Sequence, residues 1–331
     1  MAFVYGKPAS GRMLNQTKAF LHSLALDYDD GVEFTVNLIE NEEIHATGSR
    51  QGNVLKCIGV SAEDRGRGYA AKIVTELVKN AVQEGFSHLF LFTKPKNSAL
   101  FGGLGFYPVA ATQDVLLMEN IRHGVQTFVE GLECPTKQGA IGCIVANCNP
   151  FTNGHLYLVE AAAHSCDLLH LFILSEDRSM FPADVRLELA KRAVAHLHNV
   201  VVHPTGDYLI SYATFPSYFI KDKTRVGEIN GALDLAIFAQ QFAKPLNITQ
   251  RFVGTEPFSP VTDSYNRTME SYLPSQGINV VVVPRLKKDG AAVSASRVRA
   301  LLAQGKLEEI RGLVPPVTYD YLERLDLHDM C

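Results

Sequence analysis

The chain of 331 residues is long enough for two domains, since a single domain usually holds about 100–200 residues. Its 47% hydrophobic and 20% charged residues are ordinary for a globular protein, which excludes a disordered or collagen-like chain. The formal net charge of −4 comes without a basic block, so neither nucleic acid nor an anionic membrane is an expected partner.

The cysteine pattern and the apolar runs favour a cytoplasmic protein. The six cysteines are scattered without a CxxC pair, which is typical of reduced thiols. The longest apolar run, about 139–146, is too short to span a bilayer, and the first residues lack the charged and apolar regions of a secretory signal. No spacing of His and Cys resembles a zinc site, so we expect no protein-bound metal centre.

Residues 1–134 are predicted to form an α+β domain. Strand-like runs follow closely on one another at 33–39, 53–60, 88–92 and 114–118. Between them, the helical spacing of apolar residues from Tyr69 onward predicts one long helix, with Gly85 placed as its C-terminal cap. Pro135 and its polar neighbours predict a linker over 133–138.

A glycine- and arginine-rich turn, Arg65-Gly66-Arg67-Gly68, joins the strand 53–60 to the long helix. Glycines let the backbone approach an anion closely, and the free N–H groups at a helix start favour a pyrophosphate. Spacing alone leaves a second interpretation equally open, in which this is a solvated turn that happens to contain arginines.

Together with NSALFGGLGFYPV at 97–109, the run RGRGYA resembles the acyl-CoA-binding core of the GCN5-related N-acetyltransferase fold. The resemblance covers about 31–118. It implies that the loop holds the pyrophosphate of a coenzyme A arm and that the preceding strand lies along the arm. No general base stands at a family position, so we expect arm binding rather than a reaction of this domain. The candidate arm-binding residues are Ile58, Val60, Arg65, Gly66, Arg67, Gly68, Tyr69, Ala70 and Asn97.

Residues 139–331 are predicted to form a second domain with a doubly wound, Rossmann-like parallel sheet. Apolar runs at 140–146, 168–174, 200–203, 248–254 and 278–284 alternate with helical patterns at 156–164, 183–197, 231–242 and 263–273. Continuous apolar strands of this kind are typical of a parallel sheet covered on both faces. Such sheets bind ligands beyond the carboxyl ends of their strands, where the strand order reverses.

Two motifs in this half point to phosphate chemistry. NPFTNGH at 149–155 follows the first strand, and a histidine at a helix start can donate to a phosphoryl oxygen. VSASRVR at 293–299 begins a later helix, with Gly305 as its cap. Taken singly, the histidine is better read as a cap or core residue and Ser294 as an ordinary N-cap.

In this order the motifs resemble the T/HxGH and SSTxxR signatures of nucleotidyltransferases, with Ala295 and Ser296 as departures. The resemblance implies attack on the α-phosphate of a nucleoside triphosphate, usually with Mg²⁺ on the phosphate oxygens. It assigns catalysis to His155, Thr152, Asn149 and Arg299. The nucleotide-binding candidates are Asn149, Phe151, Gly154, His155, Gly254, Thr255, Glu256, Ser294, Ser296 and Arg299, although residues 254–256 could equally form a plain turn.

The remaining basic residues and histidines are assigned no firm role. Arg186 and Lys191 are expected to solvate a surface. Lys221 follows an apolar segment that could deliver it toward the nucleotide, and which lysine contacts the triphosphate is left open. His164 and His203 are expected to be structural.

Taken whole, the chain resembles the citrate lyase ligase family, through ANCNPFTNGH, SEDRSMFPADVRLELAK, RFVGTEPFSPVT and VSASRVR among other stretches. This implies an acid–thiol ligase that forms acetyl-adenylate from ATP and acetate. The acetyl group then passes to the thiol of a dephospho-CoA-type prosthetic group on the acyl carrier subunit of citrate lyase. Two alternatives stay open: a cytidylyl- or adenylyltransferase of cofactor biosynthesis, and a regulatory module that senses ATP.

Overall fold

The computed structural model describes residues 1–135, 139–176, 179–209, 217–255 and 260–325, and for 260–264 the backbone only. The described chain divides into two compact units, 1–126 with 217–236, and 127–209 with 237–325. The predicted domains 1–134 and 139–331 differ from these units chiefly because 217–236 returns to the first unit. Residues 136–138 of the predicted linker lie outside the described residues.

The first unit is built on a mixed seven-stranded sheet of order β1-β2-β3-β4-β5-β7-β6. Its strands are β1 Ala2–Gly6, β2 Phe34–Glu40, β3 Glu43–Gln51, β4 Val54–Val60, β5 Phe90–Thr93, β6 Tyr107–Ala111 and β7 Leu116–Glu119. The helices along this part of the chain are α1 Gly11–Ser23, α2 Tyr69–Gln83, α3 Ser98–Gly102 and α4 Gly124–Glu130. This mixed arrangement confirms the predicted α+β class.

The long predicted helix is α2, which packs Ile73, Leu77 and Ala81 into the core of the first unit. Gly85 follows it with φ +92°, a left-handed conformation that glycine adopts at low cost, so its predicted place at the helix end is confirmed. Strands β4 and β5 run parallel, and their recorded pairs are Val54 with Phe90 and Leu55 with Leu91. The ladder between them therefore covers only the start of β4.

The second unit contains a five-stranded parallel sheet of order β10-β9-β8-β11-β12. The strands are β8 Ile141–Ala146, β9 Leu168–Ile173, β10 Val200–Pro204, β11 Gln250–Gly254 and β12 Asn279–Val283, followed by a short hairpin, β13 Lys287–Lys288 and β14 Ala291–Ala292. The order reverses at β8, which has β9 on one side and β11 on the other. This confirms the predicted doubly wound sheet, and sheets of this kind bind ligands in a crevice at the carboxyl ends of the strands where the order reverses, here β8 and β11.

Helices alternate with these strands along the chain, as the sequence predicts. They are α5 Asn153–Ala163, α6 Ala183–Ala193, α7 Val226–Ile237 (continued by a π-helix, Phe238–Ala243), α8 Pro260–Ser275, α9 Ala295–Ala303, α10 Leu307–Ile310 and α11 Pro316–Glu323. A core of Phe181, Val293, Val298 and Leu302 holds the start of α9 in place. Among the described residues, no helix is both long and apolar enough to cross a membrane.

Strand β3 was not predicted, because its sequence lacks an apolar alternation. Three of its polar side chains, Thr47, Ser49 and Arg50, are nevertheless buried, and each has a hydrogen-bond partner inside the fold. The Ser49 hydroxyl lies 2.9 Å from Thr35 Oγ1, and Arg50 Nε donates to Asn80 Oδ1 at 2.9 Å. Such tertiary hydrogen bonds remove the cost of burying polar groups, and a linear pattern does not show them.

Candidate functional site

The loop after β8 ends in a reciprocal cap at the start of α5. Thr152, buried at the N-cap, accepts from the His155 amide through Oγ1 at 3.3 Å, and its own N–H donates to His155 Nδ1 at 3.0 Å. The second bond is the one that glutamate usually makes in a capping box. Because Nδ1 accepts, the neutral imidazole carries its proton on Nε2, where it can donate to a ligand.

The His155 ring is held in the neutral form. Burial lowers the pKa of His155 to about 4, with a smaller contribution from the positive charge of Arg285. The buried ring of Phe151 packs against it, with 5.5 Å between ring centroids. The group facing the crevice is thus a neutral hydrogen-bond donor at physiological pH.

Gly154 brings the two predicted motifs together. A Cβ built on Gly154 would lie 2.7 Å from the carbonyl oxygen of Val293, too close for any other residue without movement of the backbone. Val293 precedes Ser294, the N-cap of α9, whose hydroxyl accepts from the Arg297 amide at 3.2 Å. The starts of α5 and α9 are therefore adjacent, and both present N-terminal amides suited to an anion.

Arg299 ties the two motifs to each other. Its Nη1 donates to the Asn149 carbonyl at 2.5 Å, and its Nη2 donates to Ser296 Oγ at 3.3 Å. Partial burial lowers the pKa of the guanidinium from its usual value. Asn149 in turn accepts the Phe181 amide at 3.1 Å through Oδ1, so much of its role here is to shape the loop.

The end of β11 forms the other wall of the crevice. Thr255 follows Gly254 and donates its amide to the Val283 carbonyl of β12 at 3.0 Å. Arg285, directly beyond β12, donates through Nε to the Thr255 carbonyl at 2.5 Å. Glu256 lies outside the described residues. The sequence analysis missed Arg285, although a basic residue just after a parallel strand was a usable signal.

Arg186 does not solvate a surface as the sequence analysis predicts. It is not a surface residue but fully buried, and it donates to the backbone carbonyls of Phe181, Asn147, Leu174 and Glu176 at 2.6–2.9 Å. Guanidinium is tolerated in a core when its N–H groups find acceptors, and here those acceptors belong to the loops after β8 and β9. Arg186 therefore organises the loops at the crevice.

The two candidate lysines lie in different units. Lys191 is exposed in the last turn of α6. Lys221 belongs to the first unit, where its charge helps to lower the pKa of Lys94, after the larger effect of burial. The positions of Lys191 and Lys221 do not show whether either lysine contacts the triphosphate, so a contact of one of them with it stays a prediction.

Two of the remaining histidines occupy the positions expected of structural residues. His203 is buried on β10, with Nε2 2.9 Å from His170 Nδ1, and burial lowers their pKa values to about 3 and about 4. His164 Nδ1 lies 2.6 Å from the Glu160 carbonyl at the end of α5. Within the described ranges, no group of three or more His, Cys, Asp or Glu residues is placed to hold a metal ion.

The glycine–arginine turn of the first unit is shaped by left-handed glycines and a buried carboxylate. Gly66 and Gly68 have φ of +84° and +76°, and Gly68 is the N-cap of α2. Asp64 accepts from Arg67 Nη1 at 3.0 Å and lies 2.6 Å from His45 Nδ1. Arg65 is exposed, and no hydrogen bond or ion pair ties its side chain to another described residue. The two arginines of the turn are therefore not equivalent.

The other candidate arm-binding residues lie near the turn. Ile58 and Val60 stand on the part of β4 beyond its ladder to β5, and Tyr69 and Ala70 open α2. Asn97 donates to Thr93 Oγ1, at the end of β5, at 2.8 Å. An unpredicted neighbour, the buried Tyr218, donates to the Phe92 carbonyl of β5 at 3.0 Å.

Comparison with known proteins finds a family model and solved structures that match parts of the chain. Residues 141–322 match the family described as the citrate lyase ligase C-terminal domain. The first unit is similar to an acyl-CoA N-acyltransferase from Pseudomonas aeruginosa, at 12% identity and a TM-score of 0.32 over 36% of this chain and 97% of that one. Another similar structure is Thermotoga maritima TmcAL bound with alpha-thio ATP, at 15% identity and a TM-score of 0.38 over 56% of this chain and 55% of that one.

Similarity to curated proteins extends over nearly the whole chain. Citrate (pro-3S)-lyase ligase of Escherichia coli strain K12 is 40% identical, covering 98% of this chain and 95% of that protein. The protein of the same name from Klebsiella pneumoniae is 43% identical, covering 92% of this chain and 90% of that protein. The chain belongs to the citrate lyase ligase family.

Proposed function

We propose that this chain activates citrate lyase by acetylating it at the expense of ATP. The observation that supports this most directly is the close approach of Gly154, the residue before His155, to Val293 at the start of α9, in a unit whose parallel sheet reverses its strand order at β8. It occurs in a chain 40–43% identical to proteins named for this ligase activity. The relatives' name supplies the lyase as the partner, and we place the reaction in the cytoplasm.

In the first step, an oxygen of acetate attacks the α-phosphorus of ATP. A carboxylate–phosphorus bond forms, the bond to the β-phosphate oxygen breaks, and pyrophosphate leaves as acetyl-adenylate forms. His155 donates from Nε2 to a non-bridging oxygen as negative charge builds there. The starts of α5 and α9, with Ser294, Ser296 and Arg299, hold the phosphates and so supply position rather than covalent chemistry.

In the second step, the thiolate of the acyl carrier subunit attacks the acetyl carbon. The new bond joins sulfur to carbon, the bond from carbon to the adenylate oxygen breaks, and AMP leaves, while the thiol proton passes to solvent. We assign the carrier's phosphate-bearing arm to the turn at Arg65–Gly68, at the start of α2. Its glycines and the exposed Arg65 suit a pyrophosphate.

Mg²⁺ enters this proposal as part of the MgATP substrate. Bound to nucleotide substrates, Mg²⁺ is usually held by phosphate oxygens, water and one or two carboxylates. Mg²⁺ bound to the triphosphate would neutralise charge on the leaving pyrophosphate. The protein's own contribution is the ring of His155, the helix starts and the guanidinium of Arg299.

ATP–pyrophosphate exchange on the purified protein, with Mg²⁺ and without the carrier, tests the proposal. We expect exchange that requires acetate and that His155→Gln reduces by about 100-fold or more. Exchange that needs no acetate, or that proceeds with phosphopantetheine or a mononucleotide instead, would assign the chain to cofactor biosynthesis. ATP binding without exchange, even with the thiol form of citrate lyase present, would indicate an ATP sensor.

A further inference from the structure

We propose that Arg285 is a further catalytic residue of this site, held by Thr255 so that its guanidinium contacts the phosphate on which His155 acts. This inference rests on the proposed function and adds to it a cation that neither motif contains. The supporting observations are the anchoring of Arg285 on Thr255 and a run of contacts from Leu286 through Val293 to Gly154, the residue before His155.

Two hydrogen bonds anchor Arg285 to Thr255. The Arg285 amide donates to Thr255 Oγ1 at 3.3 Å, and Arg285 Nε donates to the Thr255 carbonyl at 2.5 Å. Thr255 is itself fixed by its amide bond to Val283. The first carbons of the arginine stem pass over Gly254, where a Cβ would lie 3.9 Å from Arg285 Cγ. The side chain is therefore directed along the carboxyl ends of β11 and β12.

A short run of contacts leads from Arg285 to His155. The carbonyl of the next residue, Leu286, accepts from the Val293 amide at 2.9 Å. Val293 in turn lies against Gly154, the residue before His155. Burial is the main cause that lowers the pKa of His155, and the positive charge of Arg285 adds a smaller effect in the same direction.

Hydrogen-bond donors and positive charge at the end of a strand favour an anion as their ligand. A neutral imidazole donor beside a guanidinium suits an oxygen that gains negative charge during phosphoryl chemistry. Arg285 acts in this role as a fixed positive charge and a hydrogen-bond donor, not as a proton donor to the reaction. It stabilises the charge while the bond between the acetate oxygen and phosphorus forms and pyrophosphate leaves, and its charge adds to the effect of burial that keeps His155 neutral.

The experiment compares Arg285→Ala and Arg285→Lys with Arg192→Ala, which removes an equal charge from an exposed position in the last turn of α6. The rate and the KM for ATP come from acetate-dependent exchange. The pKa of His155 comes from NMR titration of ligand-free protein, with its signal assigned by its loss in His155→Gln. Thermal unfolding checks that each variant is folded.

We expect Arg285→Ala to lower kcat about 100-fold or more and to raise the pKa of His155 above about 4. Arg285→Lys should restore part of kcat and part of the lowering of the His155 pKa, and Arg192→Ala should change neither quantity. A folded Arg285→Ala variant with kcat within threefold of wild type would overturn the proposal. A lowered kcat with an unchanged His155 pKa would also overturn it, since a purely structural role for the Thr255 contact predicts that result.

The wild-type protein separates this test from that of the proposed function. If wild type shows no acetate-dependent exchange, the proposed function fails, and Arg285 is judged by calorimetric titration with ATP. A tenfold or greater loss of ATP affinity in Arg285→Ala would still support its contact with phosphate. Unchanged affinity would overturn it.

Discussion

Thr152 and His155 cap each other across the first turn of α5, the threonine amide donating to the ring at 3.0 Å and the histidine amide to the hydroxyl at 3.3 Å. A capping interaction thereby decides which ring nitrogen carries the proton. The same two bonds satisfy free amides at the start of the helix and leave the proton on Nε2, where the reaction needs a donor.

Thr152→Ala should lower both the stability of the protein and its rate of acetate-dependent exchange. Loss of the N-cap oxygen should lower the free energy of unfolding by about 1 kcal/mol, measured by urea denaturation. Acetate-dependent exchange should fall as well, because the loosened first turn no longer orients the ring. Thr152→Ser keeps the hydroxyl and should preserve most of both. Equal exchange rates in the alanine variant and wild type would contradict the role given to this cap.

Gly154→Ala should be disruptive although alanine is the better helix former. The new methyl group would lie 2.7 Å from the Val293 carbonyl, so the starts of α5 and α9 would have to separate. We expect a loss of about 1–3 kcal/mol in stability, as in other overpacked sites, together with weaker ATP binding.

Gly227→Ala provides the matched control for Gly154→Ala. Gly227 also lies in the first turn of a helix, but a Cβ there meets nothing within 4 Å. That change should be neutral or slightly stabilising, because alanine restricts the unfolded chain. If both variants behaved alike, the close approach to Val293 would not be a determinant of the site.

Arg186→Met should destabilise the protein far more than Arg192→Met on the same helix. The buried arginine donates to four backbone carbonyls, and each buried acceptor left without a donor costs about 1–3 kcal/mol. Arg192 is exposed, so its replacement should stay within about 0.5 kcal/mol of wild type. Chemical denaturation of the two variants measures the difference, and similar unfolding midpoints would contradict it.

Stability should fall as the pH drops from about 6.5 toward 4, in part through His170 and His203. Their folded pKa values, about 4 and about 3, lie below the ordinary value of 6.5. The unfolded chain therefore binds more protons in this window, and the contribution is fully present above pH 6.5. Because hydrogen bonding to Asp64 raises the pKa of His45, that residue acts in the opposite direction.

The double variant His170→Leu/His203→Leu isolates this pair. It keeps His45 and His155, so its stability should depend less steeply on pH between 6.5 and 4 than that of wild type. Urea denaturation at several pH values measures the two slopes. Equal slopes of stability against pH in the two proteins would show that the buried histidine pair does not determine the loss of stability at low pH.

At the glycine–arginine turn, Arg65→Ala should impair acetylation of the carrier more than Arg67→Ala. Arg67 is already engaged by Asp64 at 3.0 Å, whereas Arg65 is exposed and has no such anchor among the described residues. The double variant should weaken transfer to the carrier while leaving carrier-free exchange unchanged. If both steps fell equally, the assignment of the arm to this turn would be wrong.

The sequence by itself determined the second unit in most respects. Its buried strands are continuous apolar runs, and its helices start at recognisable caps, so local pattern and final structure agree at β8, α5 and α9. The placement of Thr152, His155 and Ser294 at helix starts was predictable for the same reason. The polar strand β3 was not, because its burial depends on partners from other strands and helices.

Only the tertiary structure decided how these parts meet. The contact of Gly154 with Val293 joins residues 139 positions apart, and the return of 217–236 to the first unit follows from packing rather than pattern. Arg186 and Arg285 are both arginines that sequence would assign to solvent. Burial against backbone carbonyls places Arg186 inside the loops after β8 and β9, and hydrogen bonds to Thr255 hold Arg285 at the end of β11. Hydrogen bonds between segments distant in sequence determine where these two arginines lie, and no local periodicity encodes such bonds.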